Sequence, residues 1–441
     1  MTHPTPPAAA MLLLFLIVPL LSQGAEADRY WPQWRGPLGT GVAPHGNPPI
    51  TWSETNHVRW KTPLPGVGHS TPVIWADRIF LTAAAPYGEM MEPVYNMASG
   101  AHDNHPVTQR HEYIVLALNR SDGRILWRTI VRRDLPHEGG HYTGSHASAS
   151  PVTDGQHVYA FFGSHGLYCL DVEGKVVWER NMGRMDTKHA HGEGSSPALH
   201  GDMVVINWDH EGDSFVAGLD KRTGKTRWRK DRDELTSWSS PLVVEHQGRA
   251  QVVVSATGRV RGYDLKTGEV IWECGGLSRN VVASPVAGHG MVFVANSYDR
   301  QAMLAIRLEG ATGDITGTDQ VAWSHNRLTP YVPSPLLYGD TLYFLRHLQG
   351  ILSCVDARTG ETRHGPFRLN GIDMVFASPA GAANRIYIAD RNGATMVFQH
   401  GAEPAPLALN HLDDAFSASP VLVDRELYLR GEKALYCIME E

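Results

Sequence analysis

The sequence predicts an all-β fold: an eight-bladed β-propeller of four-stranded antiparallel blades, with the ring closed by an N-terminal strand that completes the last blade. Three observations predict it. A Ser/Thr-Pro pair recurs at Thr71-Pro72, Ser150-Pro151, Ser196-Pro197, Ser240-Pro241, Ser284-Pro285, Ser334-Pro335, Ser378-Pro379 and Ser419-Pro420, and after a first gap of 79 residues the prolines stand 46, 44, 44, 50, 44 and 41 apart. Each interval holds about four short β-rich runs separated by turn residues, the signature of a propeller blade. The eighth unit, residues 419–441, has room for only three strands, whereas residues 57–64 (HVRWKTPL) form a strand with no unit of its own. Pairing that strand with the last blade leaves no open sheet edge.

The unit itself is clearest in residues 195–228. Ser196-Pro197 opens a short apolar run, His200-Gly201-Asp202 turns, and Met203–Trp208 is a second strand. A polar loop, Asp209–Asp213, leads into a third strand, Thr223-Gly224 turns, and a fourth strand carries Trp228. The same Gly, with Trp four residues on, appears at Gly123/Trp127, Gly174/Trp178 and Gly268/Trp272; Trp323 closes the fifth unit, and the sixth has Gly360 with His364 in the tryptophan's place. These tryptophans are expected to dock between neighbouring blades.

In chain order, residues 1–27 read as a secretory signal, with an apolar core over Met11–Leu21 and a small-x-small site at Ala25-Glu26-Ala27. Removal of the signal would leave no membrane span, and the mature chain is expected in the periplasm or outside the cell. Residues 28–50 are dense in Pro, Gly and Trp and read as an irregular segment packed on the propeller, which itself occupies residues 51–441. The first blade carries an insertion, Ala84–Arg110, between its second and third strands, and a loop of this length in a compact fold is usually functional or disordered. Formal net charge is −7 in 441 residues, without a Lys/Arg run, so nucleic acid is not an expected partner. Cys169, Cys354 and Cys437 fall at equivalent repeat positions, where the third unit has Gly218 and the first has Ala117; this marks a small buried strand position rather than a disulfide framework.

A propeller sorts its loops by face. Links between blades and loops between second and third strands share one face, and here that face carries the unusual residues. The expected ligand-binding face comprises His137, His141, His146, His165, Trp238, Arg259, Arg300, Arg327, Arg391 and Arg430. Blades 1 to 3 supply histidines and carboxylates; blades 4 to 8 supply arginines, which could ring a channel mouth and grip an anionic group. The candidate metal ligands are His189, His191, Glu193, Asp209 and His210. No Cys-x-x-Cys-His haem site, P-loop, nucleophile elbow or dinucleotide fingerprint is present.

The Ser-Pro opening and the ending Leu219-Asp220…Thr223-Gly224…Trp228, repeated in Leu265…Thr267-Gly268…Trp272, resemble the pyrroloquinoline quinone (PQQ) repeat family over roughly residues 50–441. That family holds quinoprotein alcohol dehydrogenases and non-enzymatic propellers of the BamB type. The resemblance to the dehydrogenases implies PQQ stacked on a vicinal cysteine pair beside Ca²⁺. No adjacent cysteines occur here, and Glu193, Asn207 and Asp209 are the oxygen donors on offer. A cysteine-anchored lipid, as in BamB itself, is not implied, because no cysteine follows the apolar core. The leading reading is therefore an exported, monomeric, cofactor-free binding or scaffold module whose partner is an envelope protein or an anionic glycan or small ligand. The alternative is a PQQ- or metal-dependent oxidoreductase using the His/acid cluster of blades 1 to 3.

Overall fold

The computed structural model describes residues 26–401 and 403–440, so the apolar core of the signal reading lies outside the described residues. The described chain forms eight antiparallel sheets in a ring and almost no helix beyond two short 3-10 turns, Gly163–His165 and Lys188–Ala190. The third blade shows the pattern: Ala198–His200, Met203–Trp208, Phe215–Asp220 and Thr226–Asp231 pair in sequence order from the axis outward. As expected, Val58–Pro63 pairs antiparallel with Ala434–Ile438, placing Trp60 opposite Cys437 and completing the eighth blade. No helix among the described residues is long and apolar enough to cross a membrane.

The Ser/Thr-Pro pairs form a hydrogen-bonded belt around the axis. Thr71 N donates to Ser150 Oγ, Ser150 N to Ser196 Oγ and Ser196 N to Ser240 Oγ, each at 2.9 Å. Ser240 N, Ser284 N and Ser334 N continue to the next blade at 2.8, 2.9 and 2.9 Å. Ser378 N reaches Ser419 Oγ at 3.0 Å, and Ser419 N closes the circle on Thr71 Oγ1 at 3.1 Å. A hydroxyl is required at every step because the inner strands are too far apart to pair directly and each buried amide needs an acceptor.

At the outer edge the tryptophans do the joining. Trp60, Trp127, Trp178, Trp228 and Trp323 each donate Nε1 to a carbonyl in the third-to-fourth-strand turn of the next blade, on Arg120, Val172, Lys221, Leu265 and Ala357 at 2.8–3.2 Å. Their rings lie on that turn's glycine: a Cβ built on Gly268, whose φ is +72°, would come 2.5 Å from Trp228. Each ring also covers the small residue paired with it in the third strand, Cys169 under Trp178 and Gly218 under Trp228. This position accounts for Cys169, Cys354 and Cys437, whereas Cys274 lies on the fourth strand of its blade; all four are free and buried. The core accordingly lies in layers between blades, such as Trp228 with Val252, Val254 and Leu265.

Two junctions depart from the expected docking. Trp272 donates within its own blade, to Gln251 Oε1 at 2.9 Å, and is fully buried. The turn it would have used is replaced by a longer connection whose Gly313-Asp314 pairs parallel with Trp272-Glu273 as a fifth strand. His364 occupies the tryptophan register opposite Cys354 but stays exposed, and Phe367 stacked on Phe398 at 5.3 Å fills that junction instead. The insertion in the first blade is also shorter than expected: the hairpin continues from Ala84↔Tyr113 to Tyr87↔Arg110, so the loop is residues 88–109.

The irregular N-terminal segment crosses the ring on the side of the first-to-second-strand turns. Trp31 bridges Ile74 of the first blade, Thr40 O accepts from Leu337 N of the sixth, Ala43 N donates to Gly381 O of the seventh, and Asn47 bonds Asp424 of the eighth. Trp31 is fully buried, and Arg35, only 6% exposed, donates to the Pro335 and Pro379 carbonyls at 3.0 Å. The strap therefore closes one end of the axial channel.

Candidate functional site

The other end opens as a funnel of about 390 Å³. The link entering each blade turns inward over the belt, and the residue two before each Ser/Thr anchor faces the axis. On one side these positions are Trp238, Val282, Val332 and Phe376; on the other they are His69, Ser148, Gly194 and Ser417. The funnel is thus apolar and aromatic along blades 4 to 7 and polar along blades 8 and 1 to 3. Trp34 of the strap forms its floor, donating to Ser419 Oγ at 3.2 Å. Tyr298 and Tyr331, with centroids 5.6 Å apart, stand at the apolar rim, and His347 stacks on Tyr331 at 4.8 Å.

The polar wall is built by blades 1 to 3. His102, from the inserted loop, joins His141 and His191 in lining the funnel. Behind Glu193 and Trp238 lies a smaller cavity of about 60 Å³, bordered by His137, His146, His165 and Asn207. Burial pushes His69 and His146 down to about 3, and burial followed by the neighbouring His137 takes His165 down to about 4. Burial likewise raises Glu193 to about 8, against the opposing hydrogen bonds from Ser164 N at 2.7 Å and Ser164 Oγ. At neutral pH the imidazoles of His69, His146 and His165 are therefore neutral and Glu193 is largely protonated. Tyr113 stacks on His165 at 4.2 Å and fixes its ring.

The structure brings the expected histidines together and keeps the arginines apart. Arg430 is buried behind the belt, donating to Ser70 O at 2.8 Å and Thr82 O at 2.7 Å. Arg259 binds Asp314 of the added fifth strand at 2.9 Å, and Arg300 is held by the Gly276 and Leu277 carbonyls at 3.1 Å. Arg327 is exposed away from the cavity wall. Arg391 alone among the five touches a funnel residue, Ser417, while pairing Glu432 at 3.0 Å. Long flexible side chains find the nearest carbonyl or carboxylate, so a shared face did not imply a shared point.

The candidate metal ligands are similarly divided. Glu193 is engaged by Ser164. Asp209 accepts from Arg232 Nε at 2.7 Å and from Ser237 Oγ at 2.6 Å in a buried pair. His210 Nδ1 accepts from Asp186 N and Gly212 N, both at 3.2 Å. His189 and His191 lie together near the inserted loop, with rings 5.4 Å apart. Sequence reasoning missed His69, Ser148, Val282, Val332, Phe376 and Ser417 as lining residues. Their signal was the fixed offset of two from each anchor, legible only once the anchors are known to face the axis.

The family described as outer membrane protein assembly factor BamB matches residues 45–207, 110–365 and 212–440, overlapping stretches of one repeat array. The chain belongs to this family. Its likeness to BamB from Yersinia pestis is 22% identity over 313 residues, 68% of this chain and 70% of that one. The solved BamB from Moraxella catarrhalis is 14% identical, with a TM-score of 0.51 over 81% of this chain and 99% of that chain. Quinohemoprotein alcohol dehydrogenase from Comamonas testosteroni is 11% identical, with a TM-score of 0.57 over 95% of this chain and 82% of its own. Both solved structures share the propeller fold.

The dehydrogenase likeness raises the question of a quinone. Asn207 Oδ1 is buried without a partner in the wall of the small cavity, beside Glu193, as a calcium ligand would be. The remaining parts do not fit. Asp209 is neutralised by Arg232, and the cysteines lie in separate strands between blades.

Proposed function

We propose that the protein is an exported binding module of the cell envelope that holds a segment of a partner protein in its axial funnel. The observation that carries this reading is the two-sided wall, with Trp238, Val282, Val332 and Phe376 facing a polar side that carries His69, His102, His141 and His191. Aromatic and aliphatic walls with a few polar groups suit side chains of a polypeptide. The dispersal of the arginines removes the main support for an anionic glycan. Family membership supports an envelope partner. The loop 88–109, near the polar rim, adds exposed apolar contact area through Met90, Tyr95 and Met97, which are 74, 66 and 92% exposed.

Photo-cross-linking tests the reading. A photoreactive residue placed at Tyr298, on the rim, should yield a defined adduct with an envelope protein in living cells. The same residue at Val270, on an outer strand, should not. Trp238→Ala should lower the Tyr298 adduct about tenfold or more, the loss expected for an aromatic hot spot. Equal adducts from both positions, or none from the funnel, would overturn it.

A further inference from the structure

Four histidines from three segments meet at the polar rim of the funnel. His102 comes from the inserted loop, His141 from the link into the second blade, and His189 and His191 from the link into the third. Ring centroids are 4.9 Å apart for His102–His189, 4.8 Å for His102–His191, 4.7 Å for His141–His191 and 5.4 Å for His189–His191. Imidazoles sharing one ion at about 2.0–2.1 Å place neighbouring ring centroids about 5 Å apart.

One nitrogen of each ring is already held by an oxygen. His102 Nδ1 meets Gly100 O at 2.8 Å, His141 Nδ1 meets Thr143 Oγ1 at 2.7 Å and accepts from Thr143 N at 3.2 Å, His189 Nδ1 meets Ser99 O at 3.4 Å, and His191 Nε2 meets His102 O at 3.3 Å. That leaves the opposite nitrogen of each ring for a ligand, as in histidines whose second nitrogen is oriented by a carbonyl or hydroxyl. The backbone beneath is tied together. His141 N donates to His191 O at 3.1 Å, Tyr142 N to Asp103 O at 2.8 Å, and Asn104 Nδ2 to His189 O at 2.7 Å. His189 is held at φ 56°, a costly conformation for a residue with a side chain.

The geometry points to a site for one divalent transition-metal ion of the imidazole-preferring class, ligated by His102, His141, His189 and His191. Three of the four also line the funnel, so the ion would face the partner's segment. Ligation requires the rings to rotate about χ2, a broad torsion. A competing group exists: His137, Glu138 and Asp186 already bring donor atoms within 4.8 Å of one another. There, however, both Glu138 oxygens are engaged by Thr187, at 2.9 and 2.6 Å, and Asp186 is exposed. The inference shares residues with the proposed funnel but does not depend on a partner protein.

Metal binding can be measured on the full chain stripped with chelator, using Zn²⁺ and Cu²⁺ as probes and Ca²⁺ as control, by equilibrium dialysis and elemental analysis. One equivalent of Zn²⁺ or Cu²⁺ is expected, with little Ca²⁺. The single variant His189→Asn and the double variant His102→Asn/His191→Asn should each weaken uptake about tenfold or more. Unchanged circular dichroism would show that His189→Asn is folded, and X-ray absorption of the loaded chain should report an all-nitrogen first shell with imidazole scattering. Absence of stoichiometric uptake would overturn the site. So would uptake that survives in the folded variants and is lost in Glu138→Gln, which would place the ion on the competing group.

Discussion

Single side chains in this chain serve two blades at once. Trp228 packs on Gly268 and donates to Leu265 O at 2.8 Å, while covering Gly218 of its own blade. Trp228→Ala would remove that packing and leave a cavity, at a cost of about 3–5 kcal/mol. Denaturant unfolding of the variant measures it, and unchanged stability would mean that the ring is not carried by the tryptophan docking. The repeat made these residues legible because the same contact recurs at most junctions. The arginines were not legible in this way. Arg430 ends the second strand of its blade and is sealed behind the belt, whereas Arg300 lies in the loop that follows the second strand of its own and is pinned at the surface. The sequence gives such a side chain a face but not a direction.

At the level of elements, the strap decides which end of the channel is open. Its Trp and Pro density announced burial, but nothing local announced that residues 31–46 would bridge blades 1, 6 and 7. That follows from carbonyls on distant strands, among them Pro335 and Pro379, which meet only after the ring closes. Arg35→Ala would leave both without their donor and open space at the axis, costing about 2–4 kcal/mol. Limited proteolysis should then cut within residues 26–46, where the unaltered chain resists. Equal stability and equal resistance would show that the strap is held without Arg35. The inserted loop was visible as a break in the period. Its role as donor of His102 to the other three histidines was not, because contacts across about ninety residues depend on how neighbouring links stack.

For the whole molecule, closure is the decisive event. Blade 8 has three strands from the C-terminal end of the chain and one, Val58–Pro63, from near the other end. Deleting residues 58–63 would leave Ala434–Ile438 as an exposed edge and remove Trp60 from its seat on Gly123. The shortened chain should lose its cooperative unfolding transition and associate through the open edge, as seen by calorimetry and light scattering. A folded monomer of ordinary stability would contradict closure by that strand. The belt of eight hydrogen bonds would be strained in the same variant, since its last link, Ser419 to Thr71, joins the same two blades.

The sequence by itself determined the number of blades, their four-stranded pattern, the closing strand, the small residues beneath the tryptophans and the face that carries the unusual loops. Each is a local or periodic property, set by strand alternation, turn chemistry and a repeat near 44 residues. Only the tertiary structure decided which of those loop residues meet: histidines from three separate segments gather, arginines disperse, and a non-repeating strap closes one mouth of the channel. The physical reason is that a repeat fixes its side chains relative to its own blade, whereas a site at the axis depends on distances between blades and on segments that do not repeat.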